Sequence, residues 1–180
     1  LLPRWRGAAP IHAAIMHGDE KTGISVITLA KTMDAGMILG SVTTQIGKQE
    51  TTGQLHDRLA RLGPALVEEV LSSTFEGKAQ DEASVTYASK IKREDSQLDL
   101  QLHADEVARK IRGLSPWPSC HLFVNGIDCK ILNAIATDGE GKIGEILSNG
   151  TIAVGEGAIE ILELKPAGSG AMSWKDFCNG

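Results

Sequence analysis

The chain has 180 residues, is 42% hydrophobic and 23% charged, and carries a formal net charge of −5. That suits a globular protein of one domain or two small ones, and no internal repeat or low-complexity run points elsewhere. No stretch approaches the roughly 18 apolar residues a membrane helix needs. Cys120, Cys129 and Cys178 are odd in number without Cys-x-x-Cys spacing, and the five histidines are scattered. Reduced thiols in a cytosol-like compartment are therefore expected, and a metal site is not.

The acidic balance speaks against RNA, but its distribution is uneven. Residues 1–89 carry 8 basic and 10 acidic side chains, residues 90–130 carry 7 and 6, and residues 131–180 carry 3 and 7. Only the middle is not acidic, and composition by itself does not show a basic face for a polyanion.

In chain order, Pro3 and Gly7 keep the opening irregular. Pro10 at a first helical position, Ile11, Ala14 and Ile15 on one face, and Gly18 past the end predict a short helix. Asp19 to Thr22 is a polar loop. Gly23 to Leu29 follows as a strand, with Ile24, Val26, Ile27 and Leu29 in the pattern of burial on both faces. It stops abruptly at Ala30-Lys31-Thr32-Met33-Asp34-Ala35-Gly36. In an open α/β sheet, ligands and catalysis sit where the chain leaves the carboxyl end of such a strand. A carboxylate there can be held partly dry and oriented by backbone donors. On these residues alone, a simple turn closed by Asp34 and Gly36 is the favoured reading over catalysis.

Met37 to Ile46 reads as the next strand, with Gly40 as a bulge position. Thr51 and Gln54 form a capping box opening a helix of some 20 residues. Its apolar stripe is Leu55, Leu59, Leu62, Leu66 and Val70, and Gly63-Pro64 is expected to kink or split it. Glu76 to Leu100 loses apolar periodicity and is rich in charge, Gln and Ser, as a linker would be.

Asp105 to Arg112 predicts a helix with Val107 and Ile111 inward and Gly113 as its stop. Pro116 and Pro118 then bracket Trp117 in a rigid turn. Asn-Gly pairs at 125–126 and 149–150, Asp138-Gly139 and Gly155-Glu156-Gly157 punctuate five apolar runs. Those runs are Leu122–Val124, Cys129–Ile135, Ile143–Leu147, Thr151–Val154 and Ile159–Leu164. Short strands with tight turns predict a small, partly open barrel.

Five segments carry a family resemblance. Leu1-Leu2-Pro3-Arg4-Trp5-Arg6-Gly7-Ala8-Ala9-Pro10-Ile11 resembles the Leu-Leu-Pro-x-x-x-Gly loop of the 10-formyltetrahydrofolate-dependent formyltransferase family, in particular its branch acting on methionyl-tRNA. Gly23 to Gly36 is similar to that family's strand ending in Asp-x-Gly. Tyr87-Ala88-Ser89-Lys90-Ile91 resembles its linker, and Ile111-Arg112-Gly113-Leu114-Ser115-Pro116-Trp117-Pro118 the start of its C-terminal domain. Lys165-Pro166-Ala167-Gly168 with Ala171-Met172 resembles its last strand.

The resemblance implies an α/β fold, the C-terminal part of a Rossmann-like formyltransferase domain, followed by a small OB-like β-barrel. Residues 1–80 would be the partial catalytic domain, 81–100 the linker and 101–180 the barrel. The implied reaction moves a formyl group from 10-formyltetrahydrofolate to the amino group of methionine on initiator methionyl-tRNA. Such a transfer needs a deprotonated amine, a stabilised oxyanion and a protonated leaving nitrogen. The family uses an Asn, a His and an Asp. Asp34 matches the Asp, while the Asn and His precede the Leu-Leu-Pro loop, so they are expected before Leu1. With Leu rather than Met at its start and no leader before the first motif, the chain is expected to be a piece lacking its N-terminal part. His12 lies within the helix after the loop and is read as a partly exposed helix residue.

By the same resemblance, Leu1, Leu2 and Pro3 line the folate pocket, and Lys31, Thr32 and Met33 hold the pterin through main-chain groups. The chain departs from the family there, which often has an acidic residue then Xaa-Leu before the Asp. Arg4 and Arg6 are candidates for the tRNA acceptor end, as guanidinium groups bind phosphate bidentately. Lys90, Lys92, Arg93 and Arg112, with Lys110 and Lys130, are candidates for a tRNA-facing side. A monomer acting in a bacterial cytosol or an organelle matrix, without metal, completes the expectation. The rivals are a formyltransferase acting on a sugar nucleotide or small amine, and a non-catalytic RNA-binding module with Asp34 in a turn.

Overall fold

The computed structural model describes residues 1–74 and 76–179. Its first half runs β1 (Arg6–Gly7), α1 (Pro10–Met16), β2 (Lys21–Ile27), β3 (Ile38–Gln45) and α2 (Thr52–Leu71). The second half runs β4 (Tyr87–Ala88), α3 (Ala104–Gly113), β5 (Cys120–Val124), β6 (Ile127–Thr137), β7 (Ile152–Ala153), β8 (Ala158–Pro166), β9 (Met172–Ser173) and α4 (Trp174–Asn179). No helix among the described residues is long and apolar enough to cross a membrane.

Among the described residues, β2 pairs with β3 alone, antiparallel from Lys21↔Gln45 to Ile27↔Ile38. Ile24, Val26 and Ile27 are accordingly half-buried, not enclosed on both faces, and Leu29 beyond the strand end is fully exposed. The register slips between Val26 and Ile27, skipping Leu39 beside the anticipated bulge position Gly40. α2 covers one face of the pair at this point: a Cβ on Gly40 would lie 2.6 Å from Val70 Cγ2.

α2 begins at the capping box read from the sequence. Gln54 N donates to Thr51 Oγ1 (3.4 Å) and Thr51 N donates to Gln54 Oε1 (3.0 Å). Leu55, Leu59, Leu66 and Val70 are buried. The helix is not split at Gly63-Pro64 and continues to Leu71. Pro64 withholds one N–H from the carbonyl four residues back, but Ala60 and Pro64 both lie on the exposed side, where that loss costs least. α1 is wedged between α2 and α3. Its Ile15 joins the cluster of Leu55 and Leu59, while its Met16 packs toward the C-terminal core.

Gly113 is not a left-handed helix stop. It is the last residue of α3, it is buried, and a Cβ there would run into Met16, whose own Cβ lies 3.4 Å away. Its small size lets α1 and α3 approach, and Leu114 supplies the C-cap. Thr52 Oγ1 donates to the Gly113 carbonyl (2.7 Å) and Gly53 N to that of Ser115 (3.1 Å), joining the start of α2 to the end of α3.

The region read as a linker is ordered by long-range partners. Ile38 and Lys78 exchange both backbone hydrogen bonds (2.8 Å each), β4 pairs parallel with β1, and Ile91, Leu98 and Leu100 pack on the C-terminal core.

The C-terminal sheet has the order β5-β6-β8-β7, with β9 on β8, all antiparallel. Ile111, Leu114, Ile131, Ile159 and Leu164 are fully buried between this sheet and α3. Each contributes about 1.5–3 kcal/mol by leaving water. Asn125 (φ 50) and Gly126 (φ 81) form the two-residue turn from β5 to β6. Ile143–Leu147 is not a strand. It makes one bridge, Ile146↔Ile152, between turns. Among the described residues no pairing joins β5 to β7, so the sheet curls as a half-barrel around α3.

Candidate functional site

The opening loop, the Asp34 loop and the strap leading into β4 converge on one point. Gly7 N donates to Asp34 Oδ2 at 2.7 Å, uniting the two motifs that the sequence separates by 27 residues. Asp34 has φ 55, a left-handed conformation that Asp tolerates better than most side chains. Its Oδ1 has no hydrogen-bond partner among the described residues. The neck of the loop is closed by Thr28 N donating to the Met37 carbonyl (3.0 Å) and Met37 N donating to Thr28 Oγ1 (3.0 Å).

Asp34 borders a cavity of about 250 Å³ with Leu1, Leu2, Gly7, Thr22 and Ser25. Leu1 and Leu2 supply apolar walls, whereas Pro3 is half-buried beside the opening without lining it. Ser25 Oγ is buried and unpartnered among the described residues. Lys31, Thr32 and Met33 project from the loop, exposed to solvent. A carboxylate with one oxygen anchored and the other free, beside an apolar-walled cavity, is equipped to orient a base or a water molecule. His12, in α1, is half-buried, and that burial holds its imidazole below the usual range despite a backbone contact from Trp117.

Arg6, a candidate for the tRNA acceptor end, is buried. It is 2% exposed, with Nε and Nη2 donating to Gln80 Oε1 (3.1 and 2.9 Å) and Nη2 to Glu82 Oε1 (2.8 Å). Hydrogen bonding to Glu82 raises its pKa further, and its donors are taken up by Gln80 and Glu82. Arg4, by contrast, is half-exposed over the Trp5 ring (4.9 Å) and bonds Asp19 Oδ1 at 2.7 Å, while Trp5 Nε1 donates to Asp19 Oδ2. Lys90, Lys92 and Arg93 are exposed. Lys90 and Lys92 border a groove with Trp5, His17, Tyr87 and Lys110. Arg112 lies apart from them. It donates Nη1 to the Ala134 carbonyl (2.7 Å) and is half-buried with Arg109 in a crevice between α3 and the residues before α2. Burial, with Arg109 alongside, lowers its pKa. The sequence candidates therefore divide between two faces.

The model of the formyl transferase family matches residues 1–71, and the model of the formyl transferase C-terminal domain matches residues 90–180. The chain belongs to the formyl transferase family. It is similar to formyl transferases named methionyl-tRNA formyltransferase, at 42% identity over its whole length to that of Jannaschia sp. (strain CCS1) and likewise to that of Paracoccus denitrificans. The chain spans 60% and 61% of those proteins. Among solved structures, it resembles an N-formyltransferase from Helicobacter canadensis in complex with folinic acid and dTDP-3-aminofucose (TM-score 0.71, 17% identity, 88% of this chain and 61% of that one). It also resembles methionyl-tRNA formyltransferase from Clostridium thermocellum (TM-score 0.59, 20% identity, 89% and 64%). These structural likenesses establish the formyl transferase fold.

Sequence reasoning missed Gln80. It lies in the charge-rich stretch, where no periodicity marks it, yet its Nε2 donates to the carbonyls of Asp34 and Gly36 (2.7 Å each). The nearest available signal was a lone amide beside the segment similar to the family's linker.

Proposed function

We propose that the protein containing this chain transfers a formyl group from 10-formyltetrahydrofolate to the amino group of methionine on initiator methionyl-tRNA. The observation that carries this reading is the 42% identity, without loss of either half, to proteins named methionyl-tRNA formyltransferase. The geometry around Asp34 supports it. With Oδ2 held by Gly7 N, the free Oδ1 orients and raises the basicity of a neighbouring imidazole supplied by the rest of the protein and positions a water for proton transfer. The apolar walls at Leu1 and Leu2, with Pro3 beside them, favour the flat folate donor, and the main chain at Lys31, Thr32 and Met33, outside that lining, is proposed to read its polar edge.

Arg4, Lys90, Lys92 and Arg93 are proposed to meet tRNA phosphates, with Arg112 contacting the RNA from the second face. The second half acts as a small OB-like module, residues 81–100 join it to the catalytic part, and the protein works as a monomer in the cytosol. A second reading, transfer to an amino sugar nucleotide, draws only on fold likeness to the Helicobacter canadensis enzyme.

The test is single-turnover formylation by the full-length protein with methionyl-tRNA and with a dTDP-amino sugar. Transfer to the tRNA alone is expected. Transfer to the sugar alone would overturn the reading. Asp34→Asn in the same protein should lower kcat by about 10²–10⁴ while Tm is retained, because losing one acid–base partner typically has that effect.

A further inference from the structure

Buried Arg6, Gln80 and Asp34 form a closed circuit of hydrogen bonds. Arg6 Nε and Nη2 both donate to Gln80 Oε1, at 3.1 and 2.9 Å. Gln80 Nε2 donates to the carbonyls of Asp34 and Gly36, at 2.7 Å each. Asp34 Oδ2 accepts from Gly7 N, the residue after Arg6, which returns the circuit to its start. We propose that Gln80, oriented by Arg6, is a positioning residue that fixes the Asp34 loop for formyl transfer, a role that rests on the reading of Asp34 as a catalytic group.

The chemistry admits almost no other side chain. A guanidinium can only donate and a backbone carbonyl can only accept, so the group between them must present one oxygen on one side and two N–H donors on the other. A primary amide does this, and its orientation follows from its neighbours. Glutamate at this position keeps the acceptor for Arg6 but sets a carboxylate against two carbonyl oxygens. Asparagine is one methylene too short to reach them. The grip matters because Asp34 sits at φ 55, outside the regions that favour a non-glycine residue, and Lys31 to Met33 before it are exposed. Two bonds to residues 34 and 36 bracket the carboxylate, so its position is decided from the strap before β4 and not by the loop itself. Arg6 draws on Glu82 as well (2.8 Å from Nη2 to Oε1), which anchors the guanidinium whatever occupies position 80.

The experiment uses the full-length protein with Gln80→Glu, Gln80→Met and Asp34→Asn. Three quantities are measured: Tm, kcat and KM for methionyl-tRNA, and hydrogen–deuterium exchange over residues 28–37. Gln80→Glu keeps the Arg6 contact but loses both bonds to the loop, so the protein should stay folded with Tm lowered by a few degrees. Its kcat should fall about 10–100-fold with KM little changed, as expected when a reacting group is displaced by about 1 Å. Exchange over residues 28–37 should quicken in both Gln80 variants and stay at the parent level in Asp34→Asn. Parental kcat in a soluble Gln80 variant, beside an inactive Asp34→Asn, overturns the positioning role. If Asp34→Asn is itself fully active, the catalytic reading of Asp34 fails instead. The exchange data then judge the strap alone, and unchanged exchange in the Gln80 variants overturns it.

Discussion

Gly36→Ala tests the loop geometry from the opposite side to Gln80. Gly36 is buried where the loop returns past Thr28, and a Cβ there would sit on the Thr28 carbonyl, 2.7 Å from its carbon and 3.0 Å from its Oγ1. Carbon atoms in contact need about 3.5 Å, so the two segments must part by about 1 Å. They cannot do so freely, because Thr28 and Met37 are tied by hydrogen bonds at 3.0 Å in both directions. Strain of this kind costs about 1–3 kcal/mol, a fall in Tm of a few degrees. The displacement reaches Asp34 two residues away, and misplacing a reacting group by about 1 Å lowers the rate on the order of 10²-fold. Formylation kinetics and thermal unfolding of the full-length protein are the assay. Gly170→Ala serves as control, since a Cβ there meets nothing within 4 Å and the backbone is not left-handed. Parental kcat and parental Tm in Gly36→Ala would show that the loop neck does not govern the carboxylate.

Three further outcomes are expected. Thr51→Ala removes the side-chain half of the capping box on α2 and should lower stability by about 0.5–2 kcal/mol in urea unfolding, with Thr51→Ser restoring most of it. Gly113→Ala drives a methyl group into Met16 between α1 and α3 and should lower stability by about 1–3 kcal/mol, and adding Met16→Ala should recover part of that loss if the clash is the cause. Burial pushes the Cys120 thiol up to about 12 and raises Cys129 as well, whereas Cys178 is exposed. Iodoacetamide at pH 8 should therefore modify Cys178 in the native protein, and Cys120 and Cys129 only after denaturation, as read by peptide mass spectrometry.

Features governed by neighbours in the chain were legible in the sequence. The Thr51–Gln54 capping box, the apolar stripe of α2 and the Asn125-Gly126 turn depend on contacts within a few residues, and each sits where its pattern put it. The family motifs were legible too, because the opening segment and Asp34 lie on short, distinctive stretches. The third strand expected in the C-terminal half illustrates the limit. Ile143–Leu147 has strand composition, but its residues fold back as turns against Ile152, since β8 already takes its partners from β6, β7 and β9.

The amino-acid sequence by itself determined α1, α2 and α3, the Asn125-Gly126 turn and the placement of a lone carboxylate after a strand, all through local sterics and periodicity. Only the tertiary structure decided what distant residues do to one another. It turned Arg6 from a candidate phosphate contact into a buried anchor, because Gln80 and Glu82 arrive from more than 70 residues away. It made Gly113 a contact point between α1 and α3 instead of a helix stop, because Met16 comes to rest against it. It let α2 pass through Pro64, because Ala60 and Pro64 lie on the exposed side of the helix. In each case the energy lies in a pairing of residues far apart in the chain, and no pattern within a window of a dozen residues encodes which partner will arrive.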